Sequence, residues 1–282
     1  MRKHTTLRVG GPARYWVEPT TEASFAALIA HCQRADLPVY VIGRGSNLLI
    51  RDGGIDGVVV HPVRGELGEV NVDGKRIHAG VGAKFKKVAG AAQAAGLGGF
   101  EWMEGIPGNV GGGIRMNAGA MGAETFGQVL SVRYIDSNGE IHEKSASDIV
   151  HHYRNVPEFT RNYVVSADFS GEADDPALIA ERMAASKEKR RTSQPVAASA
   201  GCIFKNPEST SAGLLVDQMG FKQRSVGSAR VSDVHGNFIV NDGGASAEEV
   251  LELIAQIQAE ALKEHGIELD TEVQILGQDE PF

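Results

Sequence analysis

Five glycines fall within nine consecutive positions, Gly105-Ile106-Pro107-Gly108-Asn109-Val110-Gly111-Gly112-Gly113. Glycine loses more conformational freedom on folding than any other residue. A chain keeps such a run where backbone must approach something closely or adopt positive φ. A second cluster, Gly43-Arg44-Gly45-Ser46-Asn47, follows Val39-Tyr40-Val41-Ile42, which reads as a short buried strand. Successive N–H groups in a strand-then-glycine turn form an anion-binding concavity. No Gly-Lys-Ser/Thr follows it, and Leu48 stands where a third glycine would complete a dinucleotide fingerprint. Taken alone, this loop is equally a phosphate cradle or a structural turn. Two glycine-rich loops together suit a long ligand with a pyrophosphate and a flat ring system, such as FAD.

The rest of the chain reads as alternating hairpins and isolated helices. Phe25, Leu28, Ile29 and Cys32 form one apolar stripe on a helix over 22–34, which assigns Cys32 to the core. Asp73-Gly74 and Asn138-Gly139 mark hairpins. Further helices are expected over 83–95 and from Pro176 to Arg191, and strands at 57–60, 162–169 and 238–240. Ser246-Ala247-Glu248-Glu249 is a capping box for a long helix that Gly266 ends. Hairpins outweigh regular strand–helix–strand units, so the fold class is α+β. Thr192-Ser193-Gln194-Pro195 breaks the helix that starts at Pro176 and marks a domain boundary. A net charge of −8 argues against a nucleic-acid or anionic-membrane surface. No run of about 20 apolar residues spans a membrane. The first twenty residues hold no apolar signal core, and two cysteines make no disulfide framework, so a reducing cytoplasm is expected.

Cys202 lies in Ser199-Ala200-Gly201-Cys202-Ile203-Phe204-Lys205-Asn206-Pro207. From its surroundings alone it is a small packing residue, a nucleophile or an acid. A nucleophile wants a histidine as base, and His235 is the nearest candidate in sequence logic. No Cys/His spacing suggests a metal.

Several blocks occur in one order: TTLRVGGPA, GRGSNLL, EGIPGNVGGGIRMNAGAMG, YRNVPEF, SAGCIFKNP, GLLVDQMGFKQRSVGSARVSDVHGNFIVN and LDTEV. Together they resemble the UDP-N-acetylenolpyruvoylglucosamine reductases, from about Thr5 to Leu276. The resemblance is to the shorter subgroup that lacks an extra substrate-covering loop. It implies an FAD-binding domain of the vanillyl-alcohol-oxidase (PCMH) type over 1–174, in two α+β parts of about 1–62 and 63–174. A smaller substrate-binding domain follows over 175–282. FAD is implied to be non-covalent, with NADPH as electron donor, in peptidoglycan precursor synthesis and hence cell-wall biogenesis. A sugar nucleotide is the implied partner and a monomer is favoured.

Site roles follow from the same resemblance. Gly43, Arg44, Gly45, Ser46 and Asn47, with Leu48, are implied to wrap the pyrophosphate. Ile106, Pro107, Gly108, Asn109, Val110, Gly111 and Gly112 line the rest of the flavin with Asn117, Ala118 and Gly119. The implied reaction adds hydride to an enolpyruvyl vinyl carbon and leaves charge on the neighbouring carbon and its carboxylate. Arg154 and Glu272 hold that carboxylate, Glu272 in a protonated form that burial would favour. Cys202 stands where the family most often has serine, and donates the proton. A thiol, with a reference pKa of about 8.5, is a stronger acid than a hydroxyl and stays mostly protonated at neutral pH. Asn206, Lys205, Arg191 and Arg224 are candidates to bind the substrate. The alternatives are an FAD oxidase or dehydrogenase of the same fold acting on another small substrate, and a sugar-nucleotide binder without catalysis.

Overall fold

A computed structural model describes residues 1–282. The chain folds as two compact units. A central unit comprises Tyr15–Gly43 and Gly57–Arg190, and a terminal unit comprises Met1–Arg14, Arg44–Asp56 and Arg191–Phe282. The expected division into contiguous stretches differs from this. The glycine turn after Gly43 carries the chain into the terminal unit, and the segment 57–190 returns to the central one.

In the central unit, α1 (Glu22–Arg34) starts at a capping box made by Thr21 and Ser24. Its apolar face, including Phe25, Ile29 and Cys32, is buried with Val58 and Val60 in the same core cluster. Cys32 is only 1 % exposed, as its stripe predicted. Strand Val39–Val41 runs parallel to the adjoining part of Ile55–Val60, with Val39 opposite Val58. The larger element is a five-stranded antiparallel sheet. Its order is Ile141–Ser145, Val129–Ile135, Tyr163–Ser170, Arg76–Gly80, Val70–Asp73. Both predicted hairpins lie in it, and Gly74 and Gly139 take the positive φ values (56° and 85°) that their turns require. Helix α2 (Phe85–Ala94) buries Phe85, Val88, Ala89 and Ala92 in the same core.

The glycine run was expected to be a loop, but Val110–Met116 forms a short helix, α3. Packing explains the glycines. A Cβ at Gly111 would collide with the Val81 side chain, and one at Gly113 with the Phe85 ring. Glycine lets this turn of helix sit directly on the α2 side of the core, which outweighs its poor helix propensity. The last helix of this part, α4 (Pro176–Ser193), extends past the expected end at Arg191.

The terminal unit holds a four-stranded antiparallel sheet ordered Ala198–Cys202, Phe238–Asn241, Ala229–Val231, Ser225–Val226. Helix α5 (Ala212–Gln218) is short, and α6 (Ala247–His265) begins at the predicted Ser246 capping box. Gly266 closes α6 with φ 65°. The α6 face of Val250, Leu253, Ile254 and Ile257 joins Leu215, Val216, Ile239 and Val273 in one core. Strand Leu48–Ile50 pairs in parallel with Gln274–Leu276, which fastens the 44–56 segment to this unit.

Candidate functional site

In the central unit the two glycine clusters meet. A Cβ at Gly43 would come within 2.5 Å of the Asn109 side-chain oxygen. Asn109 is buried, donates its amide to Gly82 O at 2.5 Å and precedes α3. Its position requires a bare backbone at Gly43. Of the three consecutive glycines, Gly111 and Gly113 are packing residues, whereas Gly112 is exposed and a Cβ there meets nothing within 4 Å. One open face of bare helix backbone therefore remains where a flat ring can lie close. That geometry and the closely set main chain fit FAD.

Beyond α3, Asn117 takes φ 42° and is fully buried. Its side chain accepts from Phe126 N–H (3.1 Å) and donates to His152 O (3.4 Å), linking the 117–119 stretch to the segment that carries Arg154. Arg154 itself sits at φ 56° and donates to Asn117 O (3.4 Å) and Gly119 O (3.2 Å). Its guanidinium also lies 4.7 Å from the Tyr153 ring centroid. The structure thus brings Arg154 to the main chain expected to line the flavin.

In the terminal unit, Cys202 and Glu272 lie on adjoining stretches. Glu272 N–H donates to Ile203 O at 2.7 Å, Phe204 bridges Thr271, and Lys205 N–H donates to Asp270 O at 2.9 Å. Cys202 is half-buried at the end of its strand, opposite Phe238, after a bulge where Gly201 takes φ 78°. Glu272 is also half-buried, so it lacks the full burial expected for a protonated carboxyl. Asn47, expected at the pyrophosphate, has a structural part as well. Its amide donates to Glu272 O at 2.9 Å and its own carbonyl accepts from Gln274 N–H at 2.9 Å. Gly45, at φ 66°, accepts from Thr6 N–H.

Asn237 was not among the residues expected at the site. This buried side chain accepts from Phe204 N–H and donates to Phe204 O, both at 2.8 Å, so it brackets the Cys202 segment. Its only sequence signal was its place in Val234-His235-Gly236-Asn237. His235 is not arranged as a base for Cys202. Its Nδ1 accepts from Asn237 N–H at 3.1 Å, which puts the neutral ring's proton on Nε2 and leaves no basic nitrogen. Burial, with Lys222 adding to it, holds the ring below its ordinary pKa and hence neutral.

The expected substrate contacts separate. Lys205 and Asn206 continue the Cys202 segment, where Lys205 lies 3.8 Å from Asp270 and Asn206 Oδ1 accepts from Ala212 N–H at the start of α5. Arg224 is exposed and turned back on Gly220 O (3.1 Å) and the Phe221 ring (4.3 Å). Arg191 lies in the last turn of α4.

Comparison with known proteins agrees with these two regions. Residues 13–145 match an FAD binding domain, and residues 194–276 match the UDP-N-acetylenolpyruvoylglucosamine reductase C-terminal domain. The UDP-N-acetylenolpyruvoylglucosamine reductase of Synechococcus sp. (strain WH7803) is 39% identical over 287 residues, covering 100% of this chain and 93% of that protein. That of Bradyrhizobium sp. (strain ORS 278) is 40% identical over 274 residues, covering 97% and 89%. The crystal structure of UDP-N-acetylenolpyruvylglucosamine reductase from Thermus caldophilus superposes with a TM-score of 0.84 at 34% identity, covering 98% of this chain and 97% of that one. No helix is long and apolar enough to cross a membrane. With its glycine-bearing α3 and its bracketed cysteine segment both inside matched domains, the chain belongs to the UDP-N-acetylenolpyruvoylglucosamine reductase family.

Proposed function

We propose that the chain reduces UDP-N-acetylglucosamine enolpyruvate to UDP-N-acetylmuramate, with NADPH as electron donor, as a cytoplasmic step of peptidoglycan precursor synthesis. The observation that supports the reading is the backbone bond from Glu272 N–H to Ile203 O, which joins the Glu272 stretch to the Cys202 segment in a chain of this family. Gly43–Leu48, Ile106–Gly112 and Asn117–Gly119 would hold FAD, which when bound would supply hydride for the terminal vinyl carbon. Arg154, anchored through Asn117 O and Gly119 O, keeps a fixed charge on the substrate carboxylate as negative charge develops there. Glu272 orients the same carboxylate and donates a hydrogen bond to it when protonated. Cys202 delivers its Sγ proton to the carbon next to the carboxylate, which completes the saturated lactyl ether. The thiolate left behind is reprotonated from solvent. Asn206 and Lys205, on the same segment, take the substrate's phosphates, with Arg191 and Arg224 as the outer cations. Residues 1–174 act as the cofactor part and 175–282 as the substrate part, although the compact units interleave these stretches.

The test uses the FAD-loaded chain under anaerobic conditions. NADPH is added, then the enolpyruvyl sugar nucleotide, and the flavin absorbance at about 450 nm is followed by stopped flow. Rapid return of the absorbance with formation of the lactyl product is expected. Return on admitting oxygen but not on adding the enolpyruvyl substrate would replace this reading with an oxidase of the same fold.

A further inference from the structure

The terminal unit holds a hollow of about 450 Å³ that the proposed reaction does not use. Arg2, Lys3, Thr5 and Arg8 line it together with Asn241, Gly243 and Gly244. In a chain of net charge −8, three cations on one hollow are unexpected from composition. Neither Lys3 nor Arg8 has a carboxylate partner, and Arg2 reaches only the carbonyl of Ala245 at 3.4 Å. The nearest acid in sequence, Asp242, is taken by Arg230 through two bonds of 2.6 and 2.9 Å.

The walls are built rather than accidental. Asn241, only 8 % exposed, donates to Leu7 O and Arg8 O and accepts from Gly243 N–H and Ala245 N–H. One buried amide therefore ties the cationic turn to the glycine turn. Arg8 is held at φ 60°, a conformation that side-chain-bearing residues seldom adopt. Gly243 and Gly244 take φ values of 116° and 93°, and a Cβ at either would enter open space. The Gly244 N–H has no acceptor within the chain. Free main-chain donor, bare glycines and uncompensated cations are the features of an anion site. The volume exceeds what one phosphate fills.

We propose that this hollow binds a diphosphate-sized polyanion, with Arg2, Lys3 and Arg8 supplying charge and Gly244 N–H a fixed donor. Its lining includes none of the proposed substrate contacts, and Ala198, which also lines it, lies at the far end of the strand that Cys202 ends.

The test is calorimetric titration of inorganic pyrophosphate into the full FAD-loaded chain at fixed ionic strength. Saturable binding is expected, weakened tenfold or more in Arg8→Gln and in Lys3→Gln. Arg8→Lys should retain most of the affinity, and Lys205→Gln and Asn206→Ala should remove only binding at the substrate contacts, leaving in place the binding that Arg8→Gln weakens. Thermal melts of each variant show whether it remains folded. The inference is overturned if the parent gives no saturable heat, or if orthophosphate binds as tightly as pyrophosphate. It is equally overturned if the Lys205 and Asn206 variants lose the binding while the Arg8 and Lys3 variants keep it.

Discussion

The α3 region of the central unit and the Cys202 segment of the terminal unit are both short and glycine-bearing, but they are held by opposite means. Gly111 and Gly113 place α3 by having no side chain, so that Val81 and the Phe85 ring press against bare backbone. The Cys202 segment is placed by side chains and strand partners, with Asn237 on Phe204 and Glu272 on Ile203. A surface that must admit a flat ring is cleared by removing atoms. A side chain that must meet one carbon of a substrate is fixed by adding hydrogen bonds. The two regions should therefore fail in different ways.

The largest effect is expected at Cys202. Cys202→Ala should slow product formation by about 10²- to 10⁴-fold, the range of one general acid, with flavin content and melting temperature unchanged. Cys202→Ser should remain competent. If the alanine variant matches the parent in single-turnover product formation, the bracketed segment serves packing alone and the contrast between the regions loses its chemical half.

Asn237→Ala comes next. It leaves the N–H and C=O of Phe204 without their side-chain partner, and each unsatisfied buried group costs about 1–3 kcal/mol. Denaturant unfolding should show that loss, and turnover should fall while FAD affinity holds. Gly113→Ala inverts the pattern. Its methyl has no room against Phe85, so overpacking of about 1–3 kcal/mol should appear together with weakened FAD binding, read by fluorescence titration.

Gly112→Ala sharpens the comparison most. Its Cβ meets nothing in the chain, so the helix should gain about 0.5–1 kcal/mol. FAD affinity should nevertheless fall, because the new methyl stands on the face left open for the ring. A variant that is more stable and binds FAD as well as the parent would place the flavin elsewhere.

The smallest effect is an acid-side one confined to the central unit. Asp168 is 9 % exposed on the middle strand, bonded by Arg76, His78 and Ser131. Burial alone would raise its carboxyl, but the bonds from Arg76 and His78 outweigh it and hold the group below its ordinary value. A lowered folded value means that its stabilisation is present above the unfolded carboxyl's pKa of about 3.9. The contribution is lost as pH falls through the folded value. Asp168→Asn should lose that contribution at neutral pH and so flatten that limb of a stability–pH curve.

Local signals were legible where one element decided them. The Thr21 to Arg34 helix, the Asp73-Gly74 and Asn138-Gly139 hairpins, and the Ser246 capping box each rest on a few adjacent residues. The α3 helix was not legible, because three glycines in a row argue against helix until Val81 and Phe85 are placed beneath them. Nor was the bracket formed by Asn237, since nothing local ties it to Phe204, 33 residues earlier. Within the candidate site, the motif around Arg154 carried its approach to Asn117 and Gly119 only through the resemblance. Asn47 shows the same limit from the other side: a residue assigned to a ligand also braces the strand beside Glu272.

That brace has a consequence for how the protein is made. Asn47 and Glu272 are 225 residues apart, and the strands they flank pair only with each other. During synthesis the 44–56 segment leaves the ribosome long before its partner exists. Its strand Leu48–Ile50 must wait, without its sheet partner, while residues 57–273 are translated. At roughly 5–20 residues per second that wait is about 11–45 s. The Cys202 segment lacks its Glu272 partner until the wait ends, so a nascent chain halted before this last stretch should hold a folded central unit and an unfinished terminal one.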